Sequence, residues 1–324
     1  MFLIKVNSYI SNFDMKKHKY ILLFIVFVLG FLISDRIIAQ WLNSILYSVS
    51  SGTHAEARIA MYEQKSEILI LGSSRAQSHF DPLAITKVTG LSCYNAGMVS
   101  QGYDYTEIIT SVMLKRYSPE FVVIEVTPTF FDESIYNIAN AVLLPFAYDE
   151  KSILNFLERD DKFIKVKSTI SQSFLFNSAV FKLMIRHFFP KDVNSLGFAP
   201  ILKKNLNFEF STKQRDFSRM KISKIQMEAF INSVNMFKKH NVKIIATISP
   251  IYLPEWGEND KFIMQLKEII KSVGGEFLDY SRDPRFMRKK ELCYDDLHLM
   301  GTAATEFSYI FGADLNKLSH LRTK

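Results

Sequence analysis

A serine on a strand-to-helix turn, with a carboxylate and a histidine near the far end of the chain, makes the most reactive combination in this sequence. Ile68-Leu-Ile-Leu71 runs into Gly72-Ser73-Ser74-Arg75, and Tyr294-Asp295-Asp296-Leu297-His298 precedes the last helical stretch. A serine hydroxyl becomes a nucleophile when an imidazole takes its proton and a carboxylate orients that imidazole. The roles follow: Ser74 as nucleophile, His298 as general base, Asp295 as its orienter. Ser74 opens a helix, whose first N–H groups lack intrahelical partners and can hold an oxyanion. Gly97 offers a second N–H, because a residue without Cβ lets substrate approach the main chain.

Each of these residues has a plainer reading. Ser73 and Ser74 can be a helix N-cap pair, His298 a cap or loop histidine, and Gly97 a turn glycine. Ser74, Gln77 and Ser78 share one side of the helix, so Gln77 can face substrate, with Arg75 and Asn95 as further substrate contacts. A solvated face is the competing account of Arg75, Gln77 and His79. Asp296 reads as a solvated neighbour of the acid. A metal site from Asp295, Asp296, His298 and His79 is chemically allowed but lacks an established ligand spacing, so neither a metal nor a cofactor is expected.

The elements that must position these groups alternate. Glu67–Leu71, Leu91–Tyr94, Phe121–Val126, Val242–Ile248 and Glu276–Asp279 read as short strands. Helical patterns fall at Asp81–Gly90, Tyr103–Tyr117, Ile222–Lys239, Lys261–Val273 and Gly301–Leu315. Such alternation predicts an α/β fold with a parallel sheet, helices on both faces and reactive groups beyond the carboxyl ends of the strands. Residues 66–324 then form one α/β domain, broken at about 129–219 by an insertion rich in Phe, Lys and Asn. Within it, Phe174–Phe189 is amphipathic; packing on the main domain is favoured over lying against a membrane.

Three stretches carry a family resemblance. ILILGSSRAQSHFDP (Ile68–Pro82), YNAGMVSQGYD (Tyr94–Asp104) and YDDLHLMGTAATEFS (Tyr294–Ser308) resemble, in order and spacing, the first, second and last blocks of the SGNH/GDSL hydrolase superfamily. The form it is similar to is the membrane-anchored one associated with bacterial cell-surface polysaccharide. The resemblance implies a three-layer α/β/α, flavodoxin-like fold with about five parallel strands. It also implies a serine esterase or O-acyltransferase for a polysaccharide or glycan ester, with acetyl the foremost acyl group. Ser74 falls at the nucleophile position, Gly97 at an oxyanion donor, and Asp295 and His298 match the family's DxxH. The third block departs. Where the family has Gly-x-Asn-Asp, this chain has Glu125-Val126-Thr127-Pro128, leaving the Thr127 hydroxyl as a substitute oxyanion donor. Losing one such donor costs about 10²–10³ in rate.

A transferase outside the cytoplasm needs its acyl group carried across the membrane, which implies a multi-spanning acyltransferase partner. The alternative of another class is an inactive protein of the same fold that binds glycan or assists polysaccharide assembly. An α/β-hydrolase is a third reading, since Gly72–Ala76 nearly matches its nucleophile elbow; the serine after the first strand argues against it.

Tyr20–Ser34 is an uncharged apolar run of about 15 residues, shorter than the roughly 20 a bilayer core asks for. Flanking lysines that snorkel, and Ile37, Ile38, Ala39 and Trp41 beyond Asp35-Arg36, extend it. Residues 1–19 are expected in the cytoplasm, 20–40 as a signal-anchor span and 41–65 as an amphipathic helical stalk. Lys16, Lys17 and Lys19 before the run place the remainder outside by the positive-inside rule. The expected location is the bacterial inner (cytoplasmic) membrane, single-pass, with the catalytic domain periplasmic. A cleaved signal peptide and a buried core helix are the competing readings.

Composition agrees with this frame. With 48% hydrophobic and 23% charged residues the chain is neither disordered nor fibrous. The net charge of +7 is spread without a long basic tract, which argues against nucleic acid and for an anionic membrane surface or glycan. Two cysteines exclude a small disulfide scaffold and a four-cysteine zinc site. Cys93 and Cys293 are placed near the rim of the site, as unpaired buried thiols rather than a disulfide.

Overall fold

The computed structural model describes residues 2–134, 139–159, 161–190, 196–212, 220–254, 256–257 and 260–320. Parts of the expected insertion, residues 135–138, 160, 191–195 and 213–219, lie outside the described residues. In chain order the elements are α1 (Phe2–Ser48), α2 (Thr53–Arg58, continued by a π-helical turn Ile59–Glu63), β1 (Ile68–Leu71), α3 (Ser74–His79), α4 (Pro82–Thr89), β2 (Cys93–Asn95), α5 (Tyr103–Met113) and β3 (Phe121–Glu125). There follow α6 (Ala139–Leu143), α7 (Ser152–Leu157), α8 (Ile164–Ile170), α9 (Val180–Phe188), α10 (Lys224–Lys239), β4 (Lys243–Ile248), α11 (Lys261–Ser272), β5 (Glu276–Asp279) and α12 (Gly301–His320).

The chain divides into two compact units, Met1–Val49 with Leu144–Phe188, and Ser50–Leu143 with Phe189–Lys324. The second contains one sheet of five strands, ordered β2-β1-β3-β4-β5. Every pairing is parallel, with Ile70 beside Val123, Val123 beside Ile245, and Ile245 beside Glu276. The strands are apolar runs rather than alternating ones because β1 and β3 are buried at every residue. Edge strand β5 is only partly covered and carries Glu276 and Asp279.

Local chemistry explains where the helices begin and end. The Asp81 carboxylate accepts from the Leu83 N–H, Pro82 occupies the first turn of α4, and Gly90 ends it in a left-handed conformation. The Asp260 carboxylate caps α11 in the same way. Helix α5 packs with α10, and α12 packs with α3 and α4. Phe80, Phe307 and Phe311 meet edge to face in that core. Helix α12 continues to His320, beyond the expected Leu315, because no breaker intervenes and Leu318 still packs against the core.

The first unit joins α1 to Leu144–Phe188. Helix α1 is continuous for 47 residues, through the expected boundary between span and stalk. Its His18–Ser48 stretch is long and apolar enough to cross a membrane. All round the helix from Tyr20 to Phe27 the apolar side chains are exposed, whereas Asp35, Ala39, Leu42, Leu46 and Val49 form a buried stripe. The expected stalk is therefore two things. Residues up to Val49 pack in the first unit, and from Ser50 the chain belongs to the second, turning at Gly52 (φ 89°) before α2. The amphipathic stretch expected at 174–189 is a 3-10 turn at Ser173–Phe176 followed by α9, and it groups with α1 rather than with the sheet. Its apolar face buries Leu175, Phe176, Ala179 and Leu183.

Candidate active site

Strand β1 delivers the serine. After Leu71 the chain turns at Gly72 (φ 141°), where a Cβ would lie 2.9 Å from the Glu125 carbonyl oxygen, so only glycine fits between the strand end and α3. Ser73 stands at the N-cap and Ser74 is the first helical residue, so the Ser74 N–H lies outside the intrahelical ladder. From the far end of the chain, the Asp295 carboxylate accepts the backbone N–H groups of Leu297 and His298, both at 2.8 Å. That turn folds the His298 ring back onto the same carboxylate, with Nδ1 2.9 Å from Oδ1 and 3.0 Å from Oδ2. The ring's other nitrogen, Nε2, lies 2.8 Å from Ser74 Oγ. With Nδ1–H donating to the carboxylate, Nε2 is left as the acceptor of the serine proton. Ser74, His298 and Asp295 thus form one hydrogen-bonded chain.

Burial pushes the Asp295 carboxyl up in pKa, but His298 and the Leu297 and His298 N–H groups outweigh it and hold it below the usual range. Its contribution to stability is therefore present above the unfolded carboxylate pKa of about 4 and is lost as pH falls through the lowered folded value. The carboxylate is ionised at neutral pH, as an orienter of imidazole must be.

Several expected neighbours stand elsewhere. Arg75 is not a substrate contact: at 1% exposure its guanidinium pairs with Glu125 and donates to the Val126 carbonyl at 2.6 Å. Asn95 is 1% exposed, and its amide donates to the Ala76 and Phe80 carbonyls at 2.7 and 2.8 Å, tying β2 to α3. Gln77 bridges the chain, donating to Glu56 at 3.2 Å and accepting the Val99 N–H at 3.3 Å. The Gly97 N–H donates to Asn95 Oδ1 at 3.0 Å, and the space above Gly97 is taken by α3. A Cβ there would lie 2.6 Å from both Ala76 Cβ and the Gln77 nitrogen, so this glycine serves close helix packing rather than substrate approach. Gly97→Ala is expected to cost about 1–3 kcal/mol; an unchanged unfolding temperature would contradict this packing.

Thr127 is also committed. Its hydroxyl donates to Glu125 Oε2 at 2.8 Å and its N–H donates to the Tyr103 hydroxyl at 3.0 Å. Asp296 is buried rather than solvated, accepting from the N–H and hydroxyl of Ser211.

The solvated face expected for Arg75 and His79 is absent because α3 is covered on that side. His79 is fully buried, 6.1 Å from His298 between ring centroids. Its Nε2 accepts the Leu299 N–H at 2.9 Å, which leaves Nδ1–H to donate to Ser249 Oγ at 2.8 Å. The Ser249 hydroxyl donates onward to Glu125 Oε1 at 3.2 Å. Burial, with His298 and Arg75 nearby, pushes the His79 pKa well below its ordinary value, so the ring stays neutral. A buried polar network therefore links the nucleophile's helix to the ends of β3 and β4 and to the residue after His298. Sequence reading missed it, although Glu125 inside the apolar Phe121–Val126 run called for a buried cation, and Arg75 was at hand.

Beside Ser74 is a small pocket lined by Gly72, Ser73, Gln101, Tyr103, Glu125 and Thr127. In it the Ser73 hydroxyl and the Gln101 side-chain oxygen are buried without a hydrogen-bond partner among the described residues. Neither had been singled out as a site residue. No group of three or more His, Cys, Asp or Glu among the described residues could hold a metal ion. Cys93 and Cys293 are unpaired and lie in the hydrophobic core rather than at the rim. Burial raises both thiols, Cys293 to about 12, so both are protonated at neutral pH.

No protein-family model and no curated protein matches this chain.

Proposed function

We propose that the sheet-containing unit is a serine esterase or O-acyltransferase of the SGNH type, built as a three-layer α/β/α domain, with a glycan ester of the bacterial cell surface as substrate. Helix α1 anchors it as a single span in the cytoplasmic membrane, with this unit on the outer side. The observation that carries the reading is the unbroken chain of hydrogen bonds from Ser74 through His298 to Asp295.

In this reading Ser74 Oγ bonds to the acyl carbonyl carbon as its proton passes to His298 Nε2, and Asp295 stabilises the imidazolium. The proton then goes to the departing sugar oxygen, leaving the acyl group on Ser74. Water or a second sugar hydroxyl, deprotonated by His298, releases it. Gly97 N–H and the Thr127 hydroxyl are already engaged, so this reading assigns the oxyanion to the Ser74 N–H, at the start of α3, and to the unpartnered Ser73 hydroxyl beside it. A transferase would receive its acyl group from a multi-spanning membrane partner.

The same engagement of Gly97 and Thr127 favours a second reading, an inactive protein of this fold that binds glycan. Fluorophosphonate labelling of the full chain in detergent separates the two. The full chain is needed because Ala39, Leu42 and Leu46 of α1 are part of the first unit's core.

His79 supplies a finer test. His79→Asn removes the acceptor for Leu299 N–H, while His79→Gln can place a side-chain oxygen where Nε2 stands. The first is expected to slow ester turnover about 10- to 100-fold in kcat with KM little changed, and the second to restore much of it. Equal loss in both variants would make His79 a packing residue only.

A further inference from the structure

Asp35 is an ionisable group inside the stretch that is apolar enough to span a membrane, and it is 4% exposed. Its carboxylate accepts the Ser171 hydroxyl at 2.6 Å, the Gln172 N–H at 2.7 Å, and the Ser173 hydroxyl and N–H at 2.5 and 3.2 Å. Arg36 pairs with it at 2.5 Å and donates to the carbonyls of Thr169 and Ile170 at 2.9 and 3.3 Å. A charge at this position is thus fully met by one short segment of the same unit.

The helix itself sets the depth of that segment. Tyr20 and Trp41, both exposed, bracket 21 residue steps of α1, about 30 Å, which matches a hydrocarbon core with an aromatic residue at each interface. Between Arg36 and Trp41 the uncovered side chains are Ile37, Ile38 and Gln40, so the apolar surface continues past the charges. Asp35 then lies about 9 Å on the membrane side of Trp41. An unpaired carboxylate there would be costly, whereas one sheltered by hydroxyls, N–H groups and an arginine is tolerated. The sheltering segment must share its depth. Helix α8, which leads into it, buries Ile164 and Ser168, and Phe163 at its N-cap is exposed along one face with Val166 and Ile170.

We infer that Phe163–Ser173 seats in the boundary between headgroups and acyl chains of the leaflet at the C-terminal end of the span, with Phe163, Val166 and Ile170 facing lipid. This rests on α1 being a membrane span. It also accounts for the shortness of the uncharged run: the span continues to Trp41 because the inserted segment covers Asp35. Helix α9 gives an internal reference. The ring of His187 lies 3.0 Å from the Ser48 hydroxyl, seven residues beyond Trp41 and so about 10 Å farther out, which keeps neighbouring Phe188 at the shallow end.

The test uses the full chain in vesicles of phosphatidylcholine and phosphatidylglycerol carrying bromine on the acyl chains. Phe27→Cys, Val166→Cys, Ile170→Cys and Phe188→Cys each carry an environment-sensitive fluorophore; the native Cys93 and Cys293 are buried and do not compete. Bromolipid is expected to quench Phe27 and Ile170 labels about twofold or more, Val166 clearly, and Phe188 least. Quenching at Phe27 with Ile170 quenched no more than Phe188 would overturn the seating while leaving the span intact. Loss of quenching at Phe27 as well would overturn the span itself, and the seating with it. A blue-shifted but unquenched Ile170 label that cross-links to a second copy would assign the face to protein and overturn the lipid assignment.

Discussion

Replacing Ser74 by alanine is expected to abolish fluorophosphonate labelling of the full-length protein, and His298→Ala to slow it by about 10²–10⁴. The expectation comes from geometry. Phosphonylation of a serine requires its proton to leave, and the only imidazole nitrogen placed to take it among the described residues is His298 Nε2, at 2.8 Å. Asp295→Asn should slow labelling by no more than His298→Ala, because the imidazole remains while an amide can present a donor where Nδ1–H needs an acceptor and so favour the wrong tautomer. The measurement is the rate of adduct formation, with the modified residue mapped by mass spectrometry. Labelling of Ser74 that survives His298→Ala undiminished would remove the general base from the mechanism. Absence of any adduct, under conditions that label a known serine esterase, would move the protein to the glycan-binding reading.

The second large effect concerns stability. Arg75→Met should lower the unfolding temperature by about 6–20 °C, from about 3–5 kcal/mol at about 2–4 °C per kcal/mol for a unit of this size. Arg75 and Glu125 are each 1% exposed, and removing the guanidinium leaves the carboxylate, among the described residues, with the Ser249 and Thr127 hydroxyls. The cost is that of an uncompensated buried charge, so it should largely vanish when the charge is removed too. Arg75→Met with Glu125→Leu is expected to recover most of the loss, since replacing both partners of a buried pair is often close to neutral. Thermal unfolding in detergent reads both. A double variant no more stable than the single one would mean that Arg75 contributes through packing and through its bond to the Val126 carbonyl, not through charge. The pair matters for the site because it fixes α3, and hence Ser74, against the end of β3.

What was legible in the sequence had a local cause. The strand runs Phe121–Glu125 and Glu276–Asp279 announce themselves by apolar or β-favouring residues bounded by breakers. Helix α4 could be read from Asp81, Pro82 and Gly90 because capping depends on adjacent residues alone. The side chains around Ser74 were a different matter. Arg75, Gln77 and His79 looked like a polar, solvated face, and spacing does not reveal that β3, β4 and the His298 turn cover it. Asn95 and Gly97 stood at the right place for a substrate pocket, yet both are occupied in fastening β2 to α3. What the stalk's apolar stripe packs on was hidden for a similar reason: Ala39, Leu42, Leu46 and Val49 face Leu175 to Leu183, more than 120 residues away in the chain.

By itself the sequence determined which groups were available: a serine after the first strand, an Asp-x-x-His before the last helix, an apolar N-terminal run, and strands alternating with helices. These depend on neighbours within a few residues, where backbone geometry and hydrophobic periodicity act directly. Only the tertiary structure decided which groups meet. It brought His298 to Ser74 across 224 residues, and turned Arg75, His79 and Thr127 inward to serve Glu125. It also set Ser171 and Ser173 over Asp35. A polar side chain's partner is settled by desolvation once the chain has closed around it, and that closure is a property of contacts distant in sequence.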